Sequence, residues 1–245
     1  MRVFIHRDAD GEYPSVNFAV AAQGFREMGW ESVGYQAIDA ILPELCREDV
    51  VVDFGDESRQ ALTHLGIALP TIPTYPDALR RFLGRTLWTS TIDTIAAHPE
   101  QWPVFVKPRD DSKKFTGVLV RETGDLVGCG DLSGDTPVWC SEPISLGREW
   151  RCFVRYGKIL DVRPYTGHWR GQFAAAVIEE AVTAWADKPC GCALDFGIDG
   201  RGRTVLIEVN DGFALGAYGL PPLWYARLLS ARWAELTGTR DFCDF

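Results

Sequence analysis

The sequence predicts a small α/β lobe at the N-terminus followed by a larger α+β region built mainly of strands. Three observations predict it. Apolar strands alternate with helices over roughly the first 70 residues, which is the pattern of a parallel sheet flanked by helices. Three prolines (Pro70, Pro73 and Pro76) then crowd a short span and mark a lobe boundary. Beyond residue 100, short apolar runs are joined by glycine turns and only occasionally interrupted by a helical stretch.

Val3-Phe4-Ile5 reads as the first strand. A helix follows over 15–28, with Ser15 as N-cap and Gly29 as its stop. Val50-Val51-Val52-Asp53-Phe54 is another strand meeting a turn at Gly55, and a short helix ends near Gly66. This lobe carries no glycine-rich phosphate fingerprint, so it is not a dinucleotide site. Past the prolines, helices over 77–83 and 92–97 precede strands at 104–107, 117–120, 138–141, 149–155, 159–165, 193–198 and 204–209. A helix over 172–186, ended by Pro189, interrupts the strands, and a last helix over 223–236 stops at Gly238. The expected lobes are 1–72, 73–137 and 138–245.

Composition narrows the function classes. The chain has 245 residues, 46% hydrophobic and 24% charged, an ordinary globular balance. A net charge of −9 without a basic cluster argues against nucleic acid as a partner. No apolar run approaches a membrane span, and the first residues lack a signal-peptide pattern, so the expectation is a cytoplasmic protein without a membrane partner. The seven cysteines are scattered; only Cys190-Gly191-Cys192 is close-spaced, with no second pair at zinc-ligand spacing. Reduced, mostly buried cysteines are expected. Oligomeric state is not legible.

The most informative segment runs from Leu194 to Asn210, two strands around a Gly/Asp-rich turn. If Asp199 pairs with Thr204, Asp195 lies opposite Glu208, and Asn210 shares that face. Two facing carboxylates repel unless a cation lies between them, and Mg²⁺ accepts a few carboxylate or amide oxygens together with phosphate oxygens. The competing reading is two solvated acids on an exposed strand. Lys107 ends the apolar strand 104–107 and adjoins a polar loop containing Lys113 and Lys114, which suits a polyphosphate, although a single lysine is more often solvated. Pro143 breaks a ladder and frees backbone at Glu142 and Ile144 to bond a flat ring. On the next strand Glu149, Arg151, Phe153 and Arg155 share a face. Keeping the apolar residues of the following strand on one side requires Arg151 to face Arg163, through a three-residue loop Tyr156-Gly157-Lys158. Two facing arginines suit an anion, or else they pair with Glu149 and Asp161.

In order and spacing, 104–108, Ser141-Glu142-Pro143-Ile144, Gly147-Arg148-Glu149, and Asp195 followed by Glu208-Val209-Asn210 together resemble the ATP-grasp superfamily. The resemblance covers roughly residues 70–220, and residues 1–70 are similar to the α/β lobe that usually precedes that fold. Asp111–Gly117, Glu149-Trp150-Arg151 and Asn210–Leu220 are similar to the clade named for one arginine and two lysines, whose members are predicted amide ligases. The resemblance implies that Lys107 and Lys113 contact ATP phosphates, with Lys114 doing so if the loop register differs by one. It implies that backbone at Glu142 and Ile144 holds adenine and that Glu149 bonds the ribose. Asp195, Glu208 and Asn210 would hold Mg²⁺, with Mn²⁺ an alternative, and Arg151 would meet the γ-phosphate. Better-known ligases often carry an arginine where this chain has Ala193, and Arg163 is the replacement candidate. Asp211, Tyr218 and Tyr165 are candidate substrate contacts.

The implied activity is an ADP-forming carboxylate–amine ligase acting through an acyl phosphate on small-molecule or peptide substrates. The rivals are a kinase-like phosphotransferase on the same fold, an idle nucleotide-binding module, and an α/β protein whose motif matches are coincidental.

Overall fold

A computed structural model describes residues 1–109, 115–130 and 134–245, which divide into two compact units. One comprises Met1–Phe82 with Gly147–Phe245, the other Leu83–Leu146. The chain is thus cut at 82/83 and 146/147, while the proline-rich stretch lies inside the first unit.

The first unit opens with a parallel sheet of β1 (Arg2–His6), β2 (Glu31–Tyr35) and β3 (Val50–Val52), in the order β2-β1-β3. Helix α1 (Val16–Glu27) joins β1 to β2, with the Ser15 hydroxyl accepting the Asn17 N–H and Gly29 at φ 76° ending the turn. Helix α2 (Gly55–His64) follows β3. The strands β1 and β3 are buried almost end to end, as a sheet covered on both faces requires.

After residue 146 the same unit forms an antiparallel sheet in the order β11-β10-β8-β9. Its strands are β8 (Leu146–Arg155), β9 (Lys158–Thr166), β10 (Gly191–Asp199) and β11 (Thr204–Asp211). Helix α4 (Ala175–Ala184) separates β9 from β10, and α5 (Pro222–Thr237) closes at Gly238 in a left-handed cap. Helices α1 and α5 pack directly on each other. Gly24 makes this possible, because a Cβ there would run into the Pro222 carbonyl. One core therefore joins Phe4, Phe25 and Val51 to Tyr225, Leu228 and Trp233.

The second unit is an antiparallel sheet in the order β4-β7-β5-β6, built from β4 (Leu87–Thr91), β5 (Val104–Pro108), β6 (Val118–Val120) and β7 (Pro137–Ser141). Val104 and Val106 alternate inward onto Ile92 and Ile95 of α3 (Ile92–Ala97), with Val138 and Cys140 beside them. Phe105 and Lys107 take the other face.

Two strands, β2 and β4, were absent from the sequence expectation. Glu31-Ser-Val-Gly-Tyr and Leu87-Trp-Thr-Ser-Thr lack clear alternation, and only pairing to neighbours makes them strands. The stretch expected as a helix at 77–83 is a 3₁₀ segment, Asp77–Phe82. All seven cysteines are free, five of them buried. Burial alone pushes the Cys140 thiol up to about 11, so it behaves as a small hydrophobe. Among the described residues no helix is long and apolar enough to cross a membrane.

Candidate active site

The hairpin of β10 and β11 sets Asp195 directly across from Glu208, with Leu194 facing Val209 and Ala193 facing Asn210. The expected pairing is reached by a different route. Ile198, not Asp199, pairs with Thr204, and a bulge at Asp195/Phe196 lets Ile207 stand as the extra residue that restores the Asp195–Glu208 register. Asp199 instead builds the turn. Its carboxylate accepts the Arg201 and Arg203 N–H groups at 2.9 and 2.8 Å and pairs with the Arg203 guanidinium at 2.7 Å.

Asp195 is 2% exposed. Arg151 of β8, the neighbouring strand, grips it with two hydrogen bonds, Nε to Oδ1 at 2.8 Å and Nη2 to Oδ2 at 2.7 Å. Asn210 adds Nδ2 to Oδ2 at 3.1 Å. Burial pushes the Asp195 carboxyl up while the Arg151 bridge pulls it down, and Arg151 itself is held charged by that carboxylate against its own burial. A fork of this geometry is an ionic pair. The cation that relieves repulsion between Asp195 and Glu208 is therefore, here, Arg151.

The donor set fits a small hard cation in part. Asn210 turns its amide nitrogen to Asp195, which leaves its oxygen for another partner, and half-buried Glu208 faces the same spot. Mg²⁺ commonly uses one or two carboxylates plus phosphate oxygens. Glu208 and Asn210 are of the donor type such a cation takes, while both Asp195 oxygens are engaged by Arg151. Among the described residues no cluster of three or more His, Cys, Asp and Glu side chains stands together for a metal.

Arg151 faces Arg163 across β8 and β9, as the alternation requires. The connection differs from expectation. Tyr156-Gly157 is a two-residue turn with φ of 47° and 71°, and a bulge at Phe153/Val154 recovers the register. Arg163 pairs loosely with Asp161 at 3.3 Å, and its Nε is buried without a partner among the described residues. Its guanidinium abuts Gly219. A second bulge, at Glu149/Trp150, holds Tyr165, whose hydroxyl donates to Glu149 at 2.8 Å. Tyr218, at a left-handed φ of 42°, lays its ring 4.5 Å from the Arg151 guanidinium and 5.2 Å from the Tyr165 ring. Glu149, Tyr165, Tyr218, Arg151, Asp195 and Asn210 thus form one connected patch.

Asp211 stands apart in chemistry. Both its oxygens are taken by Arg232 of α5, at 2.7 and 2.6 Å, and it caps the Phe213 N–H, so it fixes the loop after β11. Arg232 was not singled out in the sequence; nor was the pair of Arg155 with Asp241 at 2.6 Å.

The remaining candidates lie in the second unit. Lys107 projects from β5 opposite Trp139 of β7 and is half-buried. Glu142 exchanges hydrogen bonds with Thr86: its N–H donates to the Thr86 carbonyl at 3.3 Å, and its carboxylate accepts the Thr86 N–H at 2.9 Å. Among the described residues the Ile144 backbone bonds no other backbone group. Lys113 and Lys114 lie outside the described residues.

A family model for the ATP-grasp domain, R2K clade family 2, matches residues 82–228. The chain belongs to the ATP-grasp R2K family. It accordingly uses ATP and Mg²⁺. No curated protein matches it. Among solved structures it is similar to D-alanine–D-alanine ligase from Bacillus anthracis, with 14% identity, a TM-score of 0.55 and 97% of each chain covered. It is also similar to N5-carboxyaminoimidazole synthetase from Staphylococcus aureus, with 14% identity and a TM-score of 0.61 over 98% of this chain and 77% of that one. D-cycloserine synthetase shares 14% identity and a TM-score of 0.61, over 95% of this chain and all of that one. These likenesses show the ATP-grasp fold.

Proposed function

We propose that this ATP-grasp protein is an ADP-forming carboxylate–amine ligase that works through an acyl phosphate on a small-molecule or peptide pair, in the cytoplasm. One observation carries the reading: Asp195, Glu208 and Asn210 share a face beside the facing arginines Arg151 and Arg163. Oxygen donors and guanidinium groups in one patch suit a phosphoryl group in transfer, where positioning and charge neutralisation do most of the work.

When bound, Mg²⁺ lowers the charge on the terminal phosphates of ATP. Glu208 and Asn210 would hold it, with Asp195 as third ligand. Lys107 and Lys113, or Lys114, contact the phosphates; backbone at Glu142 and Ile144 receives adenine; Glu149, already bonded by Tyr165, holds the ribose. Arg151 and Arg163 stabilise first the transferring phosphoryl oxygens and then the oxyanion formed when the amine adds. The Nε of Arg163, without a hydrogen-bond partner among the described residues, supports its share of that role. Tyr165 and Tyr218 wall the patch and are proposed to touch substrate, while Asp211 shapes the adjoining loop through Arg232.

The test is Glu208→Ala, incubated with ATP, Mg²⁺ and a pool of amino acids and amines, with ADP and condensation products read by mass spectrometry. We expect ADP release to fall by at least ~100-fold, in line with loss of transition-state charge stabilisation, with an unchanged thermal midpoint without nucleotide. ADP release at the wild-type rate would remove the metal assignment, and a stable phosphorylated product without condensation would make the protein a phosphotransferase.

A further inference from the structure

The carboxyl edge of the N-terminal parallel sheet carries a polar cluster that the phosphate site does not use. Each strand ends in one member: His6 on β1, Tyr35 on β2, and Asp53 just past β3. In open parallel sheets this edge is where ligands bind, because strand-to-helix loops converge there. The Asp53 side chain is fully buried. Its Oδ1 accepts the Phe54 N–H at 2.8 Å and lies 2.7 Å from His6 Nδ1, while its Oδ2 accepts the Tyr35 hydroxyl at 2.5 Å. Burial, then Asp53, push the Tyr35 phenol far above its usual range, so it stays a donor. The carboxylate fixes His6 as the Nδ1–H tautomer and leaves Nε2 as the basic nitrogen. Among the described residues Nε2 has no hydrogen-bond partner, and the side chain keeps 20% exposure. Phe18, stacked at 6.1 Å, and the edge of Phe54 at 5.9 Å hold the ring. Phe54 is itself 49% exposed and offers an apolar wall beside the imidazole.

Adjacent residues tie this edge to the arginine pair. Phe18 packs on His6, and Asn17 accepts the Ala217 N–H at 2.9 Å. The next two residues, Tyr218 and Gly219, lie against Arg151 and Arg163. A hydrogen-bonded pair that only braced strand ends would not need a ring nitrogen open to solvent.

We propose that this edge is the amine-substrate site, with His6 as the base that takes the proton from the attacking nitrogen; the inference rests on the ligase reading above. The lone pair of the neutral amine forms the C–N bond to the acyl carbon, and the carbonyl π pair moves to oxygen. The N–H proton passes to His6 Nε2, with Asp53 stabilising the imidazolium. Collapse of the tetrahedral species expels inorganic phosphate with the C–O bonding pair, and His6 returns its proton to solvent.

The experiment uses the full chain with ATP, Mg²⁺ and a pool of the common amino acids as carboxylates. Either hydroxylamine or the same pool supplies the amine. Hydroxylamine is largely unprotonated at neutral pH and intercepts acyl phosphates without a base. His6→Asn keeps an N–H where Nδ1 stood, so Asp53 keeps its partner. We expect hydroxamate formation to persist near the wild-type rate while amide formation falls by ~100-fold or more, as loss of a general base predicts. Added imidazole should partly restore amide formation in His6→Gly. A His6→Asn variant that makes both products at wild-type rates would overturn the base role alone. Equal loss of both products would also overturn it, placing His6 in the nucleotide step. A wild-type chain that makes neither product would overturn the ligase reading, and the base role with it.

Discussion

Arg151 is where most contacts of the candidate site converge: a two-pronged bridge to Asp195, the Tyr218 ring above it, and Arg163 across the ladder. Removing one partner of a buried ion pair leaves a charge without compensation, at a cost of roughly 3–5 kcal/mol. Arg151→Ala should therefore lose about that much stability as well as activity, read by chemical denaturation. Arg151→Met combined with Asp195→Leu should regain most of the stability, because an apolar pair of similar volume is often neutral, and should stay inactive. A stable, well-folded Arg151→Ala would contradict the account. In the sequence, Arg151 and Asn210 were assigned faces by alternation, and Asp195 by an assumed hairpin register. That did not show that Arg151 and Asp195 bond each other, because β8 and β10 are neighbours in space but about forty residues apart, and alternation cannot say which non-consecutive strands pair. The same blindness hid His6 and Asp53. Both ends of strands β1 and β3 were read, yet only the parallel pairing of those strands brings the side chains within 2.7 Å.

At the scale of elements, two hairpins reached the expected facing residues through turns that the sequence misassigned. A tyrosine at positive φ is uncommon, so Tyr156-Gly157 did not announce a two-residue turn, and the compensating bulge was invisible for the same reason. In the other hairpin Asp199 serves the turn rather than the ladder. The Arg203 backbone N–H, foremost, and then its guanidinium hold the Asp199 carboxyl below the usual carboxylate range. A depressed folded-state pKa contributes stability above the unfolded value of about 3.9, which is lost as pH falls through the folded value. The gap in thermal midpoint between wild type and Asp199→Asn should be widest near neutral pH and close as the pH drops below about 4. A gap that stays constant down to strong acid would show that the charge of Asp199 does not hold the turn.

For the whole molecule, strand–helix alternation was enough to predict an α/β lobe, while the ATP-grasp region was legible only through the resemblance carried by the motifs at 104–108, 141–144, 147–149, Asp195 and 208–210, with which the family match over 82–228 agrees. The compact units were less legible. The N-terminal lobe shares a core with the C-terminal sheet because Gly24 lets α1 approach α5, a contact that joins residues about 200 positions apart and leaves no local trace. That shared core sets the carboxyl edge bearing His6 and the arginine patch in one unit, as a two-substrate ligation would need. The measurement that bears most directly on that chemistry follows oxygen. A pool of amino acids labelled with ¹⁸O in their carboxylates, incubated with the protein, ATP and Mg²⁺, should yield inorganic phosphate carrying a single ¹⁸O atom for each amide formed. Amide formation accompanied by unlabelled phosphate would mean that no acyl phosphate lies on the path.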